Sequence, residues 1–193
     1  MDKSVEKTEG EKLAEKLLSD HKHGGLILSD SKLKKAMSFS EDYKSFLNKA
    51  KTEREAVIET VKKAEDCGFT EFEPGKKYDA GDKFYFVNRD KAVILTVMGK
   101  KPLSDGIRIA AAHIDSPRLD LKQNPLYEDH EIALFKTHYY GGIKKYQWTA
   151  IPLSLHGVII KSDGEKVSVN IGEDKNDPVF CVTDLLPHLA AAQ

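Results

Sequence analysis

The sequence predicts an α/β protein: helices flanking a mixed sheet over residues 38–118, then a β-rich segment over residues 119–193. Three observations carry this. Two capping-box signals, Ser38 with Glu41 and Thr52 with Glu55, precede an apolar helical face traced by Val57, Ile58, Val61 and Ala64. The segment KFYFVNRDKAVILTVMG reads as a strand, a tight turn at Asn88 to Asp90, and a second strand rich in Val and Ile. Beyond Pro117, IPLSLHGVIIK and KVSVNIG are joined across Ser162-Asp163-Gly164-Glu165, a hairpin signal.

Residues 1–37 read as an N-terminal extension. Residues 2–19 are rich in Lys and Glu with Leu13, Leu17 and Leu18 at helical spacing, which predicts a solvated helix with a narrow apolar stripe. HKHGGLILSDSK then breaks any helix at Gly24 and Gly25, and places His21 and His23 in a surface setting without a third ligand type nearby. The helix after Thr52 ends at Gly68. GIRIAAAHID follows the strand pair as a further strand, whose Ala110, Ala111 and Ala112 permit close cover by helices. Asp120, Glu128, Asp129 and Glu131 fall in a polar stretch that reads as a solvated loop. KTHYYG reads as a strand, and TDLLPHLAAAQ begins a helix at Asp184 or Pro187.

Thirty basic against thirty-one acidic residues give a net charge of −1, so no global field draws the chain to nucleic acid or an acidic membrane. THYYGGIKKYQW carries aromatics and two lysines, yet stacking platforms need a wider basic groove. No phosphate-binding GxxxxGK[ST] and no GxSxG nucleophile elbow occur. Cys67 and Cys181 are far apart with no CxxC, which predicts neither a disulfide framework nor a zinc knuckle. No run approaches the roughly 20 apolar residues of a membrane span, and the charged N-terminus lacks the apolar core of a signal peptide. A cytoplasmic protein without nucleic-acid or membrane partners is the expectation.

The chemistry-bearing residues are His113 and Asp115 in AAHIDSP. Alternate strand residues point the same way, so both can face one site. A neutral imidazole is a zinc ligand, and a carboxylate nearby can take its other N–H and fix the tautomer. On spacing alone, a satisfied histidine at a strand end is the better reading, because a catalytic zinc site needs roughly three protein ligands. His130, His138 and His156 read as surface or strand-face histidines, with His138 beside two tyrosines a candidate to line a pocket.

The stretch from Ile107 to Lys161, with AAHIDSPRLDLKQNPLYED and LFKTHYYGGIKKYQWTAIPLSLHGVIIK, closely resembles the aspartyl aminopeptidase and vacuolar aminopeptidase I family in its bacterial branch; SEDYKSFLNKAKTEREAV and DPVFCVTDLLPHLA extend the resemblance over roughly residues 38–193. The resemblance implies a zinc-peptidase-like α/β domain interrupted by an inserted β-rich domain, both incomplete here. It also implies two zinc ions per complete site, with cobalt or manganese able to substitute, and removal of single N-terminal residues from peptides. Dimers through the insertion, building a tetrahedral dodecamer, are the implied homo-oligomer.

By the same resemblance His113 is a ligand of one zinc and Asp115 the carboxylate that orients it. His188 in LPHLA resembles a histidine that reaches into the neighbouring subunit's active site, and the YYGG glycines are expected near the substrate entrance. The bridging aspartate, the catalytic glutamate and the remaining ligands belong downstream of the insertion. The chain is therefore expected to be inactive alone; the alternative is a noncatalytic decoy or oligomerisation partner of full-length subunits.

Overall fold

The structure, a computed structural model, describes residues 7–19 and 22–184. The chain separates into two compact units, Met1–Ser45 and Phe46–Gln193. In the first, α1 (Glu9–Leu17) opens on a complete capping box: the Thr8 N–H donates to Glu11 Oε2 at 2.7 Å and the Glu11 N–H to Thr8 Oγ1 at 3.3 Å. Leu13 and Leu17 lie on it and Leu18 follows as its C-cap, all three exposed. The expected break at Gly24 and Gly25 is instead a single turn, α2 (Gly24–Ile27), because the Nδ1 of His23 accepts the Gly25 N–H at 3.1 Å and caps it.

The expected start at Ser38 is also displaced: α3 runs over Asp30–Lys49, so Ser38 and Glu41 sit inside a helix. Leu33, Lys34, Lys35, Ala36 and Met37 are good helix formers, and a capping pattern ends nothing when the backbone before it is already helical. The hydroxyl of Ser40 bonds back to the Ala36 carbonyl at 2.9 Å, as a serine within a helix does.

In the second unit, α4 (Glu53–Asp66) begins where the sequence predicts. The Thr52 N–H donates to Glu55 Oε2 at 2.9 Å and the Glu55 N–H to Thr52 Oγ1 at 3.3 Å. Its end is equally local: Gly68 takes φ +82, and the Phe69 N–H reaches the Ala64 carbonyl at 3.0 Å. The helix lies on a sheet of order β1-β2-β3, with β1 (Thr70–Glu71) parallel to β2 (Lys83–Asn88) and β2 antiparallel to β3 (Ala92–Val97). Ala56, Val57 and Ala64 of the helix and Tyr85 of β2, 7% exposed, form the buried apolar core among the described residues. The Tyr85 hydroxyl donates to Glu65 Oε1 at 2.8 Å, binding sheet to helix. Phe84 and Phe86 alternate to the other face and pack with Phe72, whose neighbour Tyr78 sits 4.3 Å from the Phe84 ring. The β2–β3 turn is a three-residue loop between the paired Asn88 and Ala92: Arg89 and Asp90 take φ +53 and +57, and the Lys91 N–H donates to the Asn88 carbonyl at 3.0 Å.

The predicted strand GIRIAAAHID is not one. Residues 106–115 pair with no strand among the described residues, and Ile109 is 77% exposed. Its apolar content marks strand propensity, but a strand needs a hydrogen-bonding edge, and β3 does not extend one to it. Conversely, the stretch expected as a solvated loop is a strand. β4 (Arg118–Asp129) pairs with β5 (Ile132–Tyr140), placing Asp120, Glu128 and Asp129 on it and His130 and Glu131 at φ +52 and +61 in the turn. An exposed two-stranded ribbon buries little on either face, so its sequence shows no alternation to read. The predicted hairpin forms as β6 (Leu155–Ile160) and β7 (Lys166–Ile171), closed by Gly164 at φ +87.

This last hairpin is fastened to α4 by His156. Its side chain is 9% exposed; Nδ1 lies 2.8 Å from Glu55 Oε1, and Nε2 lies 3.0 Å from both Glu173 Oε1 and Ser154 Oγ. The predicted C-terminal helix and His188 lie outside the described residues, as does His21.

Two outcomes are expected. Thr52→Ala removes the cap acceptor of α4 and is expected to cost about 1 kcal/mol in chemical denaturation. The His156 hydrogen bond, then that of Ser154, holds the Glu173 carboxyl below its ordinary 4.5. A carboxyl depressed in the folded state adds stability present above its unfolded value and lost as pH falls through the folded one. Glu173→Gln is therefore expected to flatten the fall of the unfolding midpoint below pH 4.5; an acid limb identical to wild type would contradict this.

Candidate metal-binding site

Residues 106–117 carry His113 and bring the two residues after it, Ile114 and Asp115, to a cavity lined also by Glu53 of α4 and Arg118 of β4. The His113 ring is 86% exposed. Its Nδ1 lies 2.9 Å from the Asp115 main-chain carbonyl and 3.6 Å from Asp115 Oδ1. A carbonyl can only accept, so this contact puts the proton on Nδ1 and leaves the Nε2 lone pair facing outward, the arrangement a metal-binding imidazole needs.

Asp115 is itself held. The Tyr140 hydroxyl, at the end of β5, donates to Asp115 Oδ2 at 2.6 Å. That bond is the main reason the Asp115 carboxyl lies below its usual range and the Tyr140 phenol above its ordinary 10.0. Arg118 covers the Tyr140 ring, with its guanidinium carbon 4.2 Å from the centroid. Its Nε donates to Asp120 Oδ1 at 2.7 Å and its terminal nitrogen lies 3.9 Å from Glu53 Oε2. Lys91 approaches the other oxygen of Glu53 at 3.6 Å. Glu53, Lys91, Ile114, Asp115, Arg118 and Tyr140 line an open cavity of about 370 Å³, to which His113 itself does not contribute.

His113 and Asp115 are thus brought together as their spacing implies, although not by a strand. Gly141 of the YYGG run takes φ +75 and lies against Pro117, where a Cβ would meet the proline ring at 3.4 Å. His138 does not line the cavity; it is exposed, its Nδ1 3.2 Å from the Tyr139 carbonyl, while Tyr140 occupies the wall. Sequence reasoning did not link Tyr140, Arg118 or Glu53 to the histidine. Arg118 had a local signal, three residues after Asp115; Tyr140, twenty-five residues on, had none.

The fit to a metal is partial. His113 meets the demands on one ligand, but no group of three or more His, Cys, Asp or Glu side chains that could hold an ion occurs among the described residues. No helix among them is long and apolar enough to cross a membrane.

Comparison with known proteins places this geometry in context. Residues 46–193 match the family described as aminopeptidase I zinc metalloprotease (M18). The chain is 51% identical over 181 residues to a probable M18 family aminopeptidase 1 of Clostridium acetobutylicum, covering 92% of this chain and 39% of that protein. The crystal structure of aminopeptidase I from Borrelia burgdorferi superposes with a TM-score of 0.81 at 43% identity, over 86% of this chain and 41% of that one. The yeast mApe1 dodecamer, at 18% identity and a TM-score of 0.63, over 76% of this chain and 36% of that one, shares the fold. The chain therefore spans about two fifths of the length of the relatives it matches.

The Tyr140 to Asp115 bond can be checked directly. In Asp115→Asn the phenol loses its charged acceptor, and Tyr140 is expected to ionise nearer its ordinary 10.0 than in the wild type. Selective isotope labelling of tyrosine with an NMR pH titration reads this, and an unmoved Tyr140 would refute the contact.

Proposed function

This chain belongs to the aminopeptidase I (M18) family of zinc metalloproteases, and from that premise we propose that it forms part of a zinc aminopeptidase removing single residues from peptide N-termini. The observation that carries this reading is His113: an exposed imidazole whose Nδ1 is occupied by Asp115 and whose Nε2 is directed outward. His113 would hold one of the zinc ions, with Asp115 fixing its tautomer and aim. When bound, zinc polarises a carbonyl and acidifies water. What the chain itself does is orient the imidazole and shape the charged wall of Glu53, Lys91 and Arg118 beside it.

Residues 38–118 belong in this reading to the peptidase α/β domain, residues 119–193 to an inserted β-rich domain, and residues 1–37 to an extension. Support for the insertion comes from the two hairpins β4–β5 and β6–β7. A homo-oligomer is proposed on the shared fold of the yeast dodecamer, and within it His188 reaches a neighbouring subunit's site. Location in the cytoplasm is supported by Cys67 and Cys181, both exposed free thiols. By themselves these 193 residues do not hydrolyse peptides in this reading, since among the described residues His113 stands as one ligand where a catalytic zinc needs about three.

The experiment is elemental analysis of the purified chain with hydrolysis of aminoacyl p-nitroanilides in added zinc or cobalt. Weak zinc binding that disappears in His113→Ala, and no p-nitroaniline release, are expected. Turnover by the wild-type chain would overturn the inactivity, and zinc binding unchanged in His113→Ala would overturn the ligand assignment.

A further inference from the structure

Segment 106–117 carries the histidine yet belongs to no helix and no sheet ladder. Backbone hydrogen bonding therefore does not set where His113 points, and the side chains that reach the segment must. Two neighbouring residues at the end of β5 make that contact. Tyr140 donates to Asp115 Oδ2 across twenty-five residues, and Gly141 lies against Pro117. Tyr140 is in turn fixed: its backbone pairs with Arg118 in the β4–β5 ladder, and the Arg118 guanidinium lies over its ring while held by Asp120.

We propose that Tyr140 is a positioning residue for the metal-binding histidine, its hydroxyl tethering the Asp115 carboxylate so that Asp115 holds His113 Nδ1 and directs Nε2 outward. This rests on the reading of His113 as a zinc ligand. Among the described residues, Tyr140 is the side chain that hydrogen-bonds the carboxylate. Without it, Oδ1 at 3.6 Å is too far to hold the imidazole by itself, and Arg118 beside it offers a competing charge. The main-chain carbonyl of the same residue then loses its anchor as well. Arg118 is the stiffener of this arrangement: stacking and the Asp120 bond stop the phenol from swinging out of line.

Tyr140→Phe tests it, since the ring and the Arg118 contact remain and only the hydroxyl is lost. The full chain, labelled at its histidines, is studied by long-range proton–nitrogen NMR and titrated with zinc. In the wild type, His113 is expected to carry its proton on Nδ1; in Tyr140→Phe it shifts toward Nε2–H, and zinc binds His113 about tenfold more weakly. Tyr139→Phe, on the adjacent and exposed tyrosine, is expected to change neither. An unchanged tautomer and unchanged zinc affinity in Tyr140→Phe would overturn the tether while leaving His113 a ligand. An equal loss in Tyr139→Phe would overturn it too. A tautomer shift in a protein whose His113 never responds to zinc would uphold the tether and remove the ligand reading instead.

Discussion

The first turn of α4 is the constraint on which the second unit depends. Three consecutive ionisable residues leave it in three directions. Glu53 faces Lys91 and Arg118, Arg54 reaches Asp90 in the β2–β3 turn, and Glu55 holds His156 on β6. Glu55 does this while closing the capping box: one oxygen takes the Thr52 N–H and the other the His156 ring. The cap therefore fixes where the helix starts and also the point at which the β6–β7 hairpin is fastened. Lys166 of that hairpin meets the same Asp90 as Arg54, which closes a ring of contacts through elements distant in sequence.

Magnitudes show what kind of constraint this is. Exposed ion pairs contribute about 0–1 kcal/mol each, whereas burying an aliphatic or aromatic side chain contributes roughly 1.5–3 kcal/mol. The described core consists of Ala56, Val57, Ala64 and Tyr85, two of them alanines. Packing of α4 on the β2–β3 pair therefore supplies the stabilisation, and the polar contacts around its first turn supply direction. His156 is the intermediate case, because its ring is mostly buried and leaving either nitrogen unpaired would add a desolvation cost.

How much the sequence disclosed depends on the range of each interaction. Thr52 with Glu55, Gly68 after α4 and Gly164 between β6 and β7 act within a few residues, and the structure places each as expected. The same reasoning failed for Ser38 with Glu41, where a helix begun at Asp30 ran through the signal. It failed for GIRIAAAHID, since strand propensity does not provide an edge, and for β4, since a ribbon exposed on both faces leaves no periodicity. At the candidate site, spacing and family resemblance singled out His113 and Asp115, and the structure puts the two side by side. Their partners were not: Tyr140 and Glu53 approach from elements whose placement depends on the whole second unit.

That division matters for how the site is held. A histidine on a strand inherits its direction from the ladder, whereas His113 sits on a segment without one and takes its direction from Asp115, Tyr140 and Pro117. Each of these contacts is exposed and individually weak, so the aim of the imidazole is set by their agreement. The β4–β5 ribbon is what makes them agree, because Arg118 and Tyr140 are cross-strand partners at its near end. Asp120, on the face that alternation gives it beside Arg118, locks the guanidinium over the phenol. The strand that the sequence hid as a polar loop is thus the element that places the carboxylate of the one motif the sequence disclosed.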